Sequence, residues 1–223
     1  RYGVRDDEGE LCDHKLAEVA GHETVRMFEI KLSQGAKPGK GGLLPGEKIG
    51  EEIARIRGIP VGEDSISPNR HPDVATADDL LDLIDRVRRV TGKPTGIKFC
   101  LGDPAWLDEL FLAIERRGIE SAPDFMTIDG KDGGTGAAPM SLIDFVGMPL
   151  RESLPMVVDG LIAAGLRDRI RVIASAKLVN PGEVAWALCA GADFAQSARG
   201  FMFALGCIQA LQCNRNTCPT GVT

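Results

Sequence analysis

At 223 residues the chain is long enough to bury a sizeable core within one domain. Its 43% hydrophobic and 26% charged residues exclude a chain that is mainly disordered. A formal charge of −6, with basic residues scattered, excludes a general nucleic-acid surface, and no apolar run approaches the ~20 residues that cross a bilayer.

In chain order, short apolar runs at 26–32, 64–67, 95–101, 124–129, 170–175 and 193–197 read as strands. Amphipathic segments at 46–57, 77–90, 105–117, 150–164 and 181–190 read as helices, and a last helical stretch runs from about residue 200 towards Cys213. Thr76-Ala-Asp-Asp79 offers an N-cap followed by first-turn acids, and Asn180-Pro181 places proline at a first helical position. Alternating strands and helices imply βαβ units and a parallel sheet. No Gly-x-Gly-x-x-Gly opens a helix after the first strand, which disfavours a dinucleotide-binding domain. Glycine-rich loops follow several strands instead, the pattern of a (β/α)8 TIM barrel with its site at the C-terminal strand ends. About six of the eight βα units of such a barrel are legible. With Arg1 in place of Met at the start, the expectation is an incomplete barrel, lacking its N-terminal strands, in a single domain over 1–223.

Five stretches bear on chemistry. Lys31-Leu-Ser-Gln-Gly-Ala-Lys-Pro-Gly-Lys-Gly-Gly42 follows a strand in which Glu29 and Lys31 alternate with Phe28, Ile30 and Leu32. In a barrel the polar set points inward, and an inward ammonium needs an anionic partner. Gln34 and Lys37 then face an anionic ligand at the barrel mouth, unless the segment is an ordinary basic surface loop. Lys98, between Ile97 and Phe99, adds a second inward lysine, suited to stabilising a reduced flavin or else paired with Glu29 or Asp129. Asp129-Gly-Lys-Asp-Gly-Gly-Thr-Gly-Ala-Ala-Pro139 offers backbone N–H groups for an anion nest, with Asp132, Gly133 and Gly134 at its centre. Ser175, Ala176 and Lys177, and Ser197, Ala198 and Arg199, follow what would be the last two strands, where barrels often bind phosphate; ordinary strand-to-helix turns are the alternative.

The fifth stretch is Cys207-Ile-Gln-Ala-Leu-Gln-Cys213-Asn-Arg-Asn-Thr-Cys218-Pro, a C-x5-C-x4-C spacing ending in Cys-Pro. Three close thiolates suit a soft metal centre. A Cys-Pro ending also occurs in other iron–sulfur ligand runs. Zinc would want a fourth ligand, and His14, His22 and His71 are distant in sequence. Cys12, Cys100 and Cys189 stand apart, so a reducing, cytoplasmic setting is expected rather than a disulfide framework.

Taken together, Lys-x-x-Gln-Gly-Ala-Lys-Pro-Gly, Asp-Gly-Gly-Thr-Gly-Ala and C-x5-C-x4-C-Pro resemble the FMN-binding synthase domain of the glutamate synthase family, across roughly residues 29–222. The resemblance implies a (β/α)8 barrel, FMN, and a [3Fe–4S] cluster held by Cys207, Cys213 and Cys218 within a C-terminal segment over 200–223. It implies an oxidoreductase in which ammonia and 2-oxoglutarate give 2-iminoglutarate and reduced FMN delivers a hydride to it. Lys31, Gln34 and Lys37 would orient the 2-oxoglutarate carboxylates, and Lys98 would lie at the flavin ring. The FMN phosphate would sit in the loops at 175–177 and 196–200, with Asp132, Gly133 and Gly134 also among the cofactor-binding residues. An N-methylglutamate synthase-like transferase subunit, or a non-catalytic electron-transfer or ligand-binding module, shares the scaffold. Ala174-Ser175-Ala176 departs from the Asp-Gly-Gly often found at the phosphate loop. The electron donor is expected to be ferredoxin or a reductase subunit, and ammonia to arrive free or from a separate glutamine-hydrolysing subunit.

Overall fold

The computed structural model describes residues 3–37, 42–132, 138–139, 141–142 and 145–222. Its strands are β1 (Phe28–Lys31), β2 (Leu43–Leu44), β3 (Ser65–Ile66), β4 (Thr95–Phe99), β5 (Phe125–Asp129), β6 (Arg171–Ser175) and β7 (Phe194–Gln196). Its helices are α1 (Asp13–Gly21), α2 (Glu51–Arg57), α3 (Ala77–Thr91), α4 (Ala105–Arg117), α5 (Leu150–Ala163), α6 (Pro181–Cys189) and α7 (Ala198–Ala204). β1, β4, β5, β6 and β7 form one parallel sheet in chain order. A helix lies between each successive pair, α3 before β4 and α6 before β7. Order that follows the chain without reversal is the (β/α)8 barrel pattern, not the doubly wound one.

Two of the helices start where the cap chemistry places them. Thr76 accepts from Asp79 N and the Asp79 carboxylate accepts from Thr76 N, a reciprocal cap that opens α3. Asn180 and Glu183 do the same for α6, with Pro181 at its first position. α3 then buries Leu80, Leu81, Ile84 and Val87 at helical spacing and ends on Gly92, whose left-handed φ of 64° suits glycine. One sheet face, carrying Ile30, Ile97, Phe99, Met126, Ile128, Val172 and Ala174, is buried against these helices. The other face carries Glu29, Lys31, Lys98, Thr127, Asp129 and Ser175, which the pairing register sets side by side.

At the opposite end of the strands, two carboxylates close the sheet. Asp124 accepts from Thr95 N at 2.7 Å and pairs with Arg88 and Arg169. Asp193 accepts from Val172 N at 2.8 Å and pairs with Arg167 and Arg171. Burial works against the Asp193 charge, yet the Val172 N–H and Arg167 bring its carboxyl below the usual range.

The structure corrects three expectations. The run at 64–67 is not a barrel strand: Ser65–Ile66 pairs antiparallel with Leu43–Leu44 in a small excursion after β1, leaving five parallel strands rather than six among the described residues. Asp64 turns away to accept from Gly46 N at 2.7 Å, which holds the excursion together. The segment at 46–57 breaks into a short turn and α2, because Gly50 starts the helix anew. The last helix ends at Ala204, since Gly206 takes φ 95° and Gln209 and Leu211 take φ 54°. α1 was not expected; it buries Leu16 and Ala20.

Candidate functional site

The register pairs Lys31 of β1 with Lys98 of β4, so both ammonium groups leave the same face of the sheet. Lys31 Nζ donates to Gln34 Oε1 at 2.9 Å, and Lys98 Nζ lies 3.5 Å from Asp129 Oδ2. Glu29 is not the Lys98 partner; it accepts instead from the buried Thr127 hydroxyl at 2.6 Å. Gly35 N also donates to Asp129 Oδ2, at 3.1 Å, so the β1 loop is fastened to the end of β5. Only glycine fits there: a Cβ on Gly35 would stand 1.9 Å from Gly130 O. Lys37, which follows within the same turn, is buried.

Lys31 and Lys37 hold their protons less tightly than free lysine. Burial is the larger cause for Lys31, followed by repulsion from Lys98, against which Asp129 and Glu29 act. Burial and then Lys31 itself lower Lys37. Cations gathered and partly desolvated in this way favour an anionic ligand. A cleft of roughly 640 Å³ opens beside them, lined also by Arg70 and His71. A smaller one of roughly 310 Å³ adjoins it across Ser33 and reaches Cys100. The Cys100 thiol is pushed up to about 11, chiefly by burial, which suits packing rather than nucleophilic chemistry.

Asp132 accepts from Leu150 N at 3.0 Å and so meets the first N–H of α5. Gly133 and Gly134 lie outside the described residues. Ser175 and Ala176 are half-buried at the end of β6, and Lys177 takes φ 38°. The Ser197 hydroxyl donates to Leu178 O, tying the β6 and β7 loops together, so its proton is already engaged. Ala198 and Arg199 open α7 beside it. These loops meet at adjacent strand ends, next to the lysine face.

Cys207, Cys213 and Cys218 are each half-buried in an otherwise exposed segment but are not drawn into a cluster: among the described residues no three His, Cys, Asp or Glu side chains are gathered to hold a metal. Cys207 Sγ accepts from Gln209 N and Cys218 Sγ contacts the Thr220 hydroxyl, while Lys48 donates to Cys213 O.

Sequence reasoning passed over Asp129 as a site residue, as well as Ser33, Arg70 and His71. Asp129 was detectable, because it stands two residues after Thr127 on a strand whose neighbour places Lys98 inward. Ser33, whose hydroxyl accepts from Cys100 N at 2.8 Å, and the 70–71 loop carried no such signal.

The chain matches the family described as "Conserved region in glutamate synthase" over residues 16–223. It is 44% identical over 221 residues to the glutamate synthase large subunit-like protein YerD of Bacillus subtilis, covering 99% of this chain and 42% of that protein. It is 38% identical over 222 residues to the archaeal glutamate synthase (NADPH) of Methanocaldococcus jannaschii, covering 95% of this chain and 42% of that one. The chain thus spans about two-fifths of the length of these two relatives. A solved structure of a flavocytochrome b2 variant with benzoylformate shares the fold, with a TM-score of 0.54 and 18% identity over 92% of this chain and 42% of that chain. No helix among the described residues is long and apolar enough to cross a membrane. The match over residues 16–223, on a parallel sheet that sets two lysines at its strand ends, makes this chain a member of the glutamate synthase family.

Proposed function

We propose that this chain carries the substrate- and FMN-binding face of an oxidoreductase that reductively aminates 2-oxoglutarate to glutamate. The observation that supports it most is the loop bearing Lys31, Gln34 and Lys37, fastened to Asp129 beside Lys98. Two carboxylates and a ketone need cations and a hydrogen-bonding group within one small space, and these residues supply them. Ammonia condenses with the ketone and releases water, and the imine then takes up a hydride at carbon and a proton at nitrogen.

FMN, when bound, supplies that hydride. The donor set at the strand ends suits it: Lys98 would face the electron-rich edge of the ring, where its charge favours the reduced, anionic form. The loops at 175–177 and 197–199 would hold the phosphate through backbone N–H groups, since the Ser197 hydroxyl is engaged. Asp132, with Gly133 and Gly134, would border the flavin from the β5 loop. Ferredoxin or a reductase subunit would supply electrons.

For a [3Fe–4S] cluster the support is the C-x5-C-x4-C spacing, while the thiols as arranged do not fit one. No step is therefore routed through iron.

The test is titration of the chain with FMN, read by quenching of flavin fluorescence, and with 2-oxoglutarate, read by calorimetry. Lys98→Met is expected to weaken FMN, and Lys31→Met to weaken 2-oxoglutarate. Binding of neither ligand would sink the reading. Product analysis with 2-oxoglutarate and ammonia, against glutamate and methylamine, separates glutamate formation from methylamine transfer.

A further inference from the structure

We propose that Asp129 is a positioning residue of this site, holding the Gly35 backbone from β1 and the Lys98 ammonium from β4 on one carboxylate oxygen. The proposal deepens, and rests on, the reading of the lysine face as a substrate site. Oδ2 accepts from Gly35 N at 3.1 Å and lies 3.5 Å from Lys98 Nζ. Asp129 is only 7% exposed. In such surroundings a charge-assisted hydrogen bond is strong, and a charge left unpaired is costly.

The loop meets β5 as closely as backbone permits. Gly35 sits against Gly130 O, and that contact aims its N–H at the carboxylate. Gln34 and Lys37 flank this anchor, and Lys37 N closes the turn by donating to Gln34 O at 3.0 Å. The Gln34 side chain accepts in turn from Lys31. One carboxylate on β5 therefore decides where the groups of β1 stand relative to Lys98.

It also bears on charge. The charged groups facing Lys31 are Lys98 from β4, Asp129 from β5, Glu29 from its own strand and Lys37 from the loop. Asp129 and Glu29 favour the ammonium, and the two lysines oppose it. Neutralising Asp129 would leave Lys31 between two cations with one carboxylate to offset them.

The experiment compares Asp129→Asn and Asp129→Ala in the full chain by two measurements that need no ligand. Hydrogen exchange at the Gly35 amide reads the anchor, and NMR of carbon-labelled lysine reads the Lys31 titration. Asparagine keeps an acceptor but no charge, whereas alanine keeps neither. Gly35 should stay protected in Asp129→Asn and exchange about ten-fold faster in Asp129→Ala, the loss expected from one hydrogen bond. The Lys31 midpoint should move to lower pH in both variants, with the amides of β4 and β5 unchanged. An unmoved Lys31 midpoint in Asp129→Asn overturns the proposal even if the alanine variant fails to fold. So does unchanged Gly35 exchange in a folded Asp129→Ala protein, or general loss of protection across β5. A wild-type chain that does not bind 2-oxoglutarate would defeat the substrate reading alone, because neither measurement on Asp129 depends on it.

Discussion

Lys31 stands beside Lys98 across paired strands, with Lys37 in the turn that follows. Such a grouping opposes folding and favours an anion, so on the proposed function binding and stability pull in opposite directions at this residue. Lys31→Met is expected to leave the melting temperature unchanged or raised while 2-oxoglutarate affinity falls at least about ten-fold, the usual cost of a lost charged hydrogen bond. Calorimetry and thermal denaturation on the same sample check both. Binding through protonated Lys31 and Lys37 should fade as pH rises, starting below the range of free lysine, because both hold their protons weakly. Asp73 offers the reverse case: its hydrogen bond from Arg5 holds its carboxyl below the usual range, with burial acting against it. A carboxyl depressed on folding stabilises above its unfolded pKa and loses that stabilisation as pH falls through the folded value. Asp73→Asn should therefore cost about 1–3 kcal/mol near neutrality, a difference that shrinks in acid unfolding curves. The inward lysines, and Asp129 as one of two partners open to Lys98, were legible in the sequence; that the same carboxylate also holds Gly35 was not, since only the strand order brings the β1 loop to the end of β5.

Two glycines separate what an element needs from what the site needs. A Cβ on Gly96 would lie 2.4 Å from the Phe125 ring, within the sheet. Gly96→Ala is expected to destabilise the whole chain by about 1–3 kcal/mol, as overpacking does. Gly35→Ala meets backbone rather than a ring and should displace the β1 loop instead. The expected outcome is loss of 2-oxoglutarate binding with little change in denaturant midpoint, and equal midpoints with intact binding would refute it. At this scale the caps at Thr76 and Asn180 were readable, because the chemistry of a helix start is local. The strand at 64–67 was misread for the same reason: two residues of extended chain do not declare which sheet they join.

The molecule as a whole is an arc of parallel strands, with lysines and an aspartate at one end and two Asp–Arg clusters at the other. On the proposed function, that polarity divides binding from stability, as barrels do. The cysteine segment is tied to the excursion after β1 by Lys48, which donates to Cys213 O. Metal binding couples to folding when ligands are not preassembled. If the spacing serves iron, anaerobic reconstitution should protect Cys207, Cys213 and Cys218 together from alkylation and bring iron with them. Protection by zinc alone, or of a single cysteine, would refute an iron–sulfur role.

Alternation and cap residues sufficed to determine the parallel α/β class, most helix starts and the inward lysines, because each depends on residues a few positions apart, while the family was legible through the resemblance of its motifs. Tertiary structure alone decided that among the described residues five strands rather than six share the sheet, that Asp129 and not Glu29 meets Lys98, and that the three cysteines are not gathered as a ligand set. Those outcomes are settled by register and by which backbones approach closely, and neither is encoded in any single stretch of chain.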